Sequence, residues 1–420
     1  MMTRKLRPLA LAVFATAGVS AFLAASPAGA ETLPAIPSFY VDGSSIGGPC
    51  SDARSPTQNS RTAPWCTIGR AVQAAPATGG NVLVRAGSYK RQAVSAVARD
   101  SYVSLAPYGA ELPVIAGLTL TGVSHLRVEN LNFTSTVIAR ASSDLQFSRN
   151  RFVLKPAGLS TRSAMYLESV DNMVIDHNWV YNGRDGVVLN AAAAPSTDVV
   201  IWANRFERLG GDGVHVVVGT RGVTLFDNDF IDVRARSDVD PSVHSDAMQV
   251  LGPTQGVRAF NNEVRGGRGF LFMIHDSASS RAGSANQGVV IMSNVFSGYD
   301  FGLRLFSAPG ARIINNTVWG MSTGAGTGLD ILDRTGVAAH NTGLVLVNNI
   351  AKRLDIAGAV GLSRSDHNLV GGDPKLTSDL RPSPASSAVD AADPAEAPSV
   401  DARAEPRDGL PDIGALEYRP

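Results

Sequence analysis

Short segments in which apolar and polar positions alternate recur along this chain, and each ends at an asparagine. In Met173-Val-Ile175, Val199-Val-Ile201 and Val223-Thr-Leu225 the first and third residues are apolar. A period of two is typical of a β-strand that buries one face. Glycine, asparagine and β-branched residues crowd every repeat, which disfavours an amphipathic helix. We therefore expect a series of short strands that share one core.

The asparagine that follows each strand marks the repeat, and a large apolar residue usually stands two positions after it. These asparagines are Asn150, Asn178, Asn204, Asn228, Asn262, Asn294, Asn316 and, less cleanly, Asn349. Successive members lie 22 to 34 residues apart, which predicts coils of roughly 22 to 24 residues with insertions in some of them. Buried asparagines stacked in this way satisfy each other's amide groups. The pattern predicts an all-β fold, a parallel β-helix solenoid with an internal asparagine ladder.

A second strand in each coil places one residue between two apolar residues. The predicted inward pairs are Val187 with Leu189, Val214 with Val216, Met248 with Val250, Phe270 with Phe272, Leu303 with Leu305, and Leu329 with Ile331. Because side chains alternate across a strand, the residue between them faces outward. Read along the coils, this outer column is Tyr166, Val188, His215, Gln249, Leu271, Arg304 and Asp330. With one residue about every 4.8 Å, we interpret the column as a polysaccharide groove. Solvated surface residues are the alternative.

Two long polar insertions flank the same strand. The first, residues 231–245, carries Arg234, Arg236, Asp238, Asp240 and His244. The second, residues 273–287, carries His275. Long loops in a compact fold are more often functional than idle, so we expect these two to wall a cleft. Alternatively, His244 caps a strand and His275 is a solvated loop residue.

We expect Asp185, Asp212 and Asp246 to stack where these strands begin, and one of them lies near a histidine. The sequence Asp-Gly at Asp185 and Asp212 is typical of a turn in which the carboxylate accepts a backbone hydrogen bond. Asp246 differs because His244-Ser-Asp246 brings an imidazole near a carboxylate, a general-base arrangement. We therefore predict catalytic roles for His244, Asp246, His215, Arg304 and Arg268. The predicted substrate-binding residues are Arg234, Arg236, Gln249, His275, Asp330 and Tyr166.

The first 30 residues predict an export signal. Arg4, Lys5 and Arg7 precede an apolar run, and Ala28-Gly-Ala30 supplies small residues for cleavage. A membrane anchor is the alternative, and no other stretch is apolar and long enough to span a bilayer. We expect a secreted, extracellular monomer without membrane attachment after signal removal. Its two cysteines, Cys50 and Cys66, are then expected to form a disulfide that stabilises the fold by about 3 kcal/mol.

The net charge of the chain after signal removal disfavours nucleic acid as a partner. Removal of three basic residues with the signal leaves 34 Lys and Arg against 37 Asp and Glu, or −3. Proteins that bind nucleic acid carry a clear basic excess, so we expect no such partner.

Segments at both ends resemble known proteins. Phe39-Tyr-Val-Asp42, Pro64-Trp-Cys-Thr-Ile-Gly-Arg-Ala71 and Val82-Leu-Val-Arg-Ala-Gly-Ser-Tyr89 resemble the entry segment of secreted right-handed parallel β-helix proteins, the pectate-lyase-like superfamily. The tail from Asp408 to Tyr418 resembles their closing segment. The resemblance implies a capping helix near Ile68–Ala75. It also implies domains at 31–375, with an N-terminal cap over 31–90, and a C-terminal tail with a closing strand at 376–420.

Three kinds of activity suit this fold, which does not itself define function. A polysaccharide lyase needs a cation to neutralise a uronic-acid carboxylate and a base for the C5 proton, and a C5-epimerase shares both parts. A glycoside hydrolase needs two carboxyl groups with different pKa values, and no close Asp–Asp pair is evident in the sequence. A non-catalytic carbohydrate-binding protein would use the same groove. We favour the lyase.

The motifs do not select one enzyme family. Val174-Ile-Asp-His177 resembles a pectate-lyase motif, but the tryptophan of that motif is missing here. The Asn-Thr-Asp, Asp-Asp and Gly-His-Gly signatures of polygalacturonases are absent as well. Calcium is one hypothesis for a cofactor, and Asp238 and Asp240 are weak candidates for its ligands.

Overall fold

The computed structural model describes residues 36–155, 163–234, 245–269, 272–276, 285–298, 301–320, 328–332, 341–358 and 360–420. Short parallel strands wind into a right-handed parallel β-helix, so the fold predicted from the repeats is confirmed. The expected signal peptide, residues 1–30, lies outside the described residues.

Three walls of strands surround the core. The first wall comprises Ser38–Val41, Gly80–Val84, Val103–Pro107, Ser143–Ser148, Asp171–Asp176, Thr197–Trp202, Arg221–Phe226, Arg258–Phe260, Val290–Met292, Arg312–Ile314, Leu344–Val347 and Leu362–Asp366. The second wall comprises Gly87–Tyr89, Pro113–Ile115, Asn132–Phe133, Arg151–Val153, Trp179–Tyr181, Arg205–Glu207, Asp229–Arg234, Glu263–Arg268, Val295–Ser297, Thr317–Val318, Ile350–Ala351 and Leu369–Val370.

The third wall completes each coil. It comprises Gln92–Val97, Val137–Arg140, Met165–Glu168, Val187–Asn190, Val214–Val216, Met248–Gly252, Phe272–Asp276, Leu303–Leu305, Leu329–Leu332 and Leu354–Ala357. The long strand Leu118–Glu129 joins two walls, because its first half pairs within the third wall and its second half within the first. All of these pairings are parallel, so equivalent residues of successive coils lie next to each other.

Apolar side chains fill the space between the walls. The predicted inward pairs of the third wall are buried wherever the structure describes them, from Val187 and Leu189 to Leu329 and Ile331. On the second wall, Phe206 and Phe230 of adjacent coils stack with ring centroids 5.0 Å apart. Burial of each such ring contributes about 2–3 kcal/mol. The core is thus one continuous column, built coil upon coil.

The asparagine ladder lies at the corner between the first and second walls. Each Nδ2 donates to Oδ1 of the asparagine in the next coil, over 2.9–3.1 Å from Asn150 to Asn349. The ladder continues to Asn368, which the repeat pattern did not identify. The backbone N–H of each asparagine donates to the same Oδ1, as from Asn204 to Asn228 at 3.1 Å. Each step therefore holds adjacent coils in one register.

A short helix closes the N-terminal end, as expected. It spans Ile68–Ala74, its N-cap Thr67 accepts a hydrogen bond from the backbone N–H of Arg70, and it buries Ile68. A 3₁₀ turn at Pro56–Gln58 precedes it. The Cys50–Cys66 disulfide is confirmed and joins residues 16 positions apart. No helix in the described part of the chain is long and apolar enough to cross a membrane.

The expected closing strand is wrong, because residues 376–420 contain no strand. This segment instead packs through turns against the last coils: Ala415 N–H donates to Thr317 Oγ1 at 2.9 Å and Gly414 N–H to the carbonyl of Asn348 at 2.8 Å. A Cβ on Gly414 would lie 2.7 Å from Thr317 Oγ1, so the close approach requires glycine. The proposed domain boundaries themselves stay a prediction.

Asn228→Ala tests the ladder. The change removes the acceptor for two donors of Asn204 and the donor to the Ile201 carbonyl, all of them buried. We expect a loss of about 2–4 kcal/mol in the free energy of unfolding, measured by chemical denaturation. Asn132→Ala is the control, since this half-buried asparagine outside the ladder makes a 3.3 Å bond to the Pro113 carbonyl. Equal losses in both variants would contradict the role of the ladder.

Candidate functional site

The outer face of the third wall carries the predicted column of polar residues. Strand pairing aligns Tyr166, Val188, His215, Gln249, Met273, Arg304 and Asp330 in successive coils. Leu271 is therefore wrong as the member of this column, and Met273 takes its position. The reason is that the strand register differs from the prediction by two residues. Phe272 takes the position predicted for Phe270, since it pairs with both Met248 and Leu303.

The same shift moves two other predicted site residues. Arg268 ends a strand of the second wall, where it pairs with Arg234, so its predicted position in the third wall is wrong. His275 belongs to the third-wall strand and lies opposite Leu251, one outward position beyond Met273. The insertion after this strand thus begins later than the sequence pattern indicated.

Three aspartates stack where the third-wall strands begin. The backbone N–H of Asp212 donates to Asp185 Oδ1 at 3.1 Å, and that of Asp246 donates to Asp212 Oδ1 at 2.9 Å. Asp185 and Asp212 each accept a backbone hydrogen bond from the next coil, so the aspartates form a second ladder and not the local turns predicted for them. The three side chains are buried in adjacent coils, so the expectation that no close Asp–Asp pair exists is wrong. The parallel register creates this neighbourhood.

Burial and like charge change the protonation of the central aspartate. The pKa of Asp212 is raised well above its ordinary 3.8, first by burial and then by the charges of Asp246 and Asp185. The hydrogen bond from Asp246 N–H and the charge of Arg184 only partly offset this rise. A carboxyl group in this setting retains its proton to a higher pH than an exposed aspartate.

His215 lies directly against this stack. Its Nδ1 is 3.4 Å from Asp212 Oδ2, and its side chain is 24% exposed at the outer face. Burial lowers the pKa of His215, the charges of Asp185 and Asp246 raise it, and those of His275 and Arg184 lower it further. Its Nε2 is buried and forms no hydrogen bond with any residue that the structure describes.

The His215–Asp212 contact couples two proton positions. When Asp212 is protonated, its hydroxyl donates to Nδ1 and the imidazole proton resides on Nε2. When Asp212 ionises, Nδ1–H donates to the carboxylate and Nε2 becomes a proton acceptor. The arrangement can therefore present either an acid or a base at Nε2, depending on the state of one buried carboxyl group.

Gln249 and Asp246 form the next contact along the column. Gln249 Nε2 donates to Asp246 Oδ2 at 3.2 Å, and both side chains are buried. The expectation that Gln249 faces open solvent is therefore wrong, because its amide is turned toward the aspartate stack. His244, the partner predicted for Asp246, lies outside the described residues.

Arg304 and Asp330 form an ion pair further along the column. Arg304 Nε and Nη2 both donate to Asp330 Oδ2, at 3.1 and 2.7 Å. Asp330 is only 3% exposed, so its predicted position in open solvent is wrong: the pairing covers it. The carboxylate fixes the orientation of the Arg304 guanidinium, whose side chain is 26% exposed. Arg304 is three coils from His215, about 14 Å along the axis.

Arg184 is a site residue that the sequence analysis missed. It precedes the first aspartate of the stack, its Nε lies 3.7 Å from Asp185 Oδ2, and its side chain is 53% exposed. Gly211 allows this arrangement, since a Cβ there would lie 2.4 Å from Asp185 Oδ1. Aligning the turns in the sequence would have identified Arg184 as a cation at this position, because the equivalent residues in the next two coils, Gly211 and Ser245, are uncharged.

The remaining predicted residues are spread around this centre. Tyr166, two coils before His215, accepts a hydrogen bond from Asn190 Nδ2 at 2.8 Å and donates to Glu168 at 3.3 Å. Arg234 is exposed on the second wall and pairs with Asp232. Arg236, Asp238 and Asp240 lie outside the described residues.

No group of three potential metal ligands occurs among the residues that the structure describes. The calcium hypothesis rested on Asp238 and Asp240, which lie outside that part of the chain. It stays a prediction.

The fold and this column define a right-handed parallel β-helix protein, and solved structures of that architecture are similar to it. XylC in complex with xylose has a TM-score of 0.52 at 8% identity, covering 91% of this chain and 98% of that one. Pectate lyase Pel9A has a TM-score of 0.45 at 14% identity, covering 92% of this chain and 98% of that one. The A-module of mannuronan C-5 epimerase AlgE4 from Azotobacter vinelandii has a TM-score of 0.42 at 17% identity. The match covers 79% of this chain and 100% of that one.

These similarities concern the fold. The parallel β-helix fold that the terminal segments imply is confirmed. No protein-family model matches the sequence, and no curated protein matches it either.

Asp212→Asn tests the protonation of the stack. A raised folded-state pKa means that stability is fully present below the unfolded value of 3.8 and falls as pH rises through the folded value. Asparagine keeps the acceptor for Asp246 N–H and cannot ionise. We expect the variant to unfold at higher denaturant concentration than the wild type at neutral pH and equally near pH 3, with less pH dependence.

The control for this experiment is Asp171→Asn, at an exposed aspartate of the first wall. It removes a carboxylate outside the stack, so it reports the effect of the substitution alone. Lower stability of Asp212→Asn at neutral pH would show that the wild-type carboxyl group is ionised and stabilising, contrary to this account.

Proposed function

We propose that this protein acts on an acidic polysaccharide bound along the outer face of the third wall, and cleaves it by β-elimination. The observation that carries the proposal is the His215–Asp212 contact at the outer face of the third wall, where the His215 side chain is 24% exposed. A base must be unprotonated at the working pH, and the lowered pKa of His215 meets this requirement.

The elimination assigns each side chain a task. His215 Nε2 takes the C5 proton of a uronic-acid unit, the C4–O4 bond breaks as a C4=C5 double bond forms, and O4 takes up a proton from solvent water. The carbanion character that develops at C5 is stabilised when a cation neutralises the adjacent carboxylate. Arg184 is our candidate for that cation, because it is exposed and its charge acts on both His215 and Asp212.

Arg304 serves a different sugar unit in this proposal. Its distance of about 14 Å along the axis from His215 exceeds the reach of one arginine side chain. We therefore assign Arg304 to a neighbouring carboxylate, with Asp330 holding its guanidinium in place. The same residues would serve a C5-epimerase, in which the carbanion is reprotonated and no bond to oxygen breaks.

A glycoside hydrolase is the second candidate, and the raised pKa of Asp212 favours it. A hydrolase needs one protonated and one ionised carboxyl group across the glycosidic bond. Asp212 could supply the proton, but its neighbours Asp185 and Asp246 are buried in the same stack. Since that leaves no second carboxylate at the outer face near His215 in the described structure, we favour the lyase.

Export from the cell is part of the same proposal. The Cys50–Cys66 disulfide supports an oxidising compartment, where a polymer outside the cell would be met. We propose that the secreted form is a monomer without nucleic-acid or membrane partners.

His215→Asn tests the base. Asparagine can still hydrogen-bond to Asp212 but cannot accept a proton, so we expect unsaturated products to fall by at least about 100-fold. The assay follows absorbance of the new double bond during incubation with pectate, alginate and a glycosaminoglycan, alongside new reducing ends. His177→Asn is the matched control, because His177 Nδ1 lies 2.8 Å from Asp176 Oδ2 on the first wall.

Two results would overturn the assignment. New reducing ends without double-bond absorbance in the wild type would identify a hydrolase. Equal loss of activity in the His177 and His215 variants would remove His215 from the reaction.

The rate is also expected to depend on the state of Asp212. Its ionisation turns Nε2 into an acceptor, so activity should rise with pH along a limb that lies above the ordinary aspartate value of 3.8. In Asp212→Asn the side-chain amide donates to Nδ1 of His215, so the imidazole proton stays on Nε2. This variant should be nearly inactive at every pH. A wild-type limb centred at 3.8 in the pH–rate profile would contradict this coupling.

A further inference from the structure

The outer face of the second wall carries a patch of aromatic rings and arginines. We call it the aromatic patch, and it comprises Arg151, Trp179, Tyr181, Arg205 and Arg208. Trp179 and Tyr181 leave the same strand on the same side, with ring centroids 5.5 Å apart, and both are half-buried. Val153 of the preceding coil lies beside Tyr181 and is 36% exposed, which extends the apolar surface.

Aromatic rings hold two of these arginines. The Arg151 guanidinium lies 4.6 Å from the centre of the Trp179 ring. Arg208 lies 5.7 Å from the centre of the Tyr181 ring and donates to its hydroxyl at 2.9 Å. Cation–π contacts of this kind are worth about 0.5–1 kcal/mol at exposed sites and restrict the side chains. The guanidinium groups are thus ordered before any ligand arrives.

Positive charge in the patch exceeds negative charge. Glu207 accepts hydrogen bonds from Arg205 Nε at 2.8 Å and from Trp179 Nε1 at 3.2 Å, which neutralises one arginine. Neither Arg151 nor Arg208 forms an ion pair with a carboxylate of the described chain, and both are exposed. Two oriented, exposed cations therefore remain on a protein whose net charge after loss of residues 1–30 is −3.

We propose that the aromatic patch is a second binding surface for an anionic polysaccharide, on a different wall from the candidate catalytic site. The proposal rests on the proposed function, since it gives the same polymer a second place to bind. Sugar rings would pack their C–H faces against Trp179 and Tyr181. Their carboxylate or sulfate groups would meet Arg151 and Arg208, which lie about 10 Å apart along the axis, two coils.

A repeating polyanion suits this surface better than a small anion. Each exposed arginine–carboxylate pair is weak alone, so affinity requires several contacts made at once. The polymer supplies them because its charged groups recur along the chain. Binding at a second wall would keep a long substrate attached while the catalytic column acts on another part of it.

The test compares Arg151→Ala/Arg208→Ala with Arg127→Ala, each in the His215→Asn background to suppress cleavage. Arg127 is the matched control, because its guanidinium lies 4.4 Å from the centre of the Tyr102 ring on the first wall. The probes are pectate, alginate, a glycosaminoglycan and a neutral glucan, with binding followed by affinity electrophoresis at several salt concentrations. Thermal unfolding verifies that each variant is folded.

We expect the double variant to bind the acidic polymer about tenfold more weakly, with a smaller salt dependence. Arg127→Ala and binding of the neutral glucan should be unchanged. With His215 restored, the double variant should process a uronic-acid trisaccharide at the wild-type rate, since that ligand is too short to reach the patch.

Unchanged polymer affinity in the double variant would overturn the inference, and so would an equal loss in Arg127→Ala. If the wild type cleaves the polymer while the double variant binds it normally, the inference fails and the proposed function stands. If binding falls as expected but no substrate is ever cleaved, the second surface stands and the lyase fails. A wild type that binds none of the acidic polymers contradicts both.

Discussion

Hydrogen bonding between coils is the constraint on which the rest of this structure depends. At each turn of the solenoid, an asparagine amide donates to the amide oxygen of the next coil, and the parallel strand pairs continue the same register. A slip of one residue would turn every side chain of a strand to the opposite face. Each buried amide connects the preceding coil to the next, as Asn204 Nδ2 does by donating to the Ile175 carbonyl at 2.8 Å and to Asn228 Oδ1 at 3.0 Å. The ladder therefore specifies one alignment of all three walls.

Fixed register converts positions that are distant in sequence into columns of neighbours. Asp185, Asp212 and Asp246 become adjacent in this way, and burial followed by mutual repulsion raises the pKa of Asp212. His215 lies beside the central carboxyl group, so the same alignment couples an imidazole to it. On the second wall, alignment of successive strands places Arg151 over Trp179. The chemistry proposed for both surfaces follows from the stacking of coils.

The fold was predictable because its signals are local. Alternation in segments such as Val199-Val-Ile201 and the recurring asparagine identify the strands and the corner directly. The site was predictable only in part. His215 followed from alternation, but Phe270 and Phe272 fit the inward position equally well, so a shift of two residues misplaced Leu271 and Arg268. Burial of Gln249 and Asp330 depends on partners from other coils, and the role of Arg184 depends on Gly211 in the next coil.

The most direct test of the coupling between register and chemistry is an NMR titration of the His215 imidazole nitrogens in the intact protein. We predict a neutral ring down to a pH below the ordinary histidine value of 6.5, with an exchange of the proton between Nε2 and Nδ1 as Asp212 ionises. A single titration at the ordinary value, without a change of tautomer, would mean that His215 is a solvated surface residue and that the aspartate stack does not act on it.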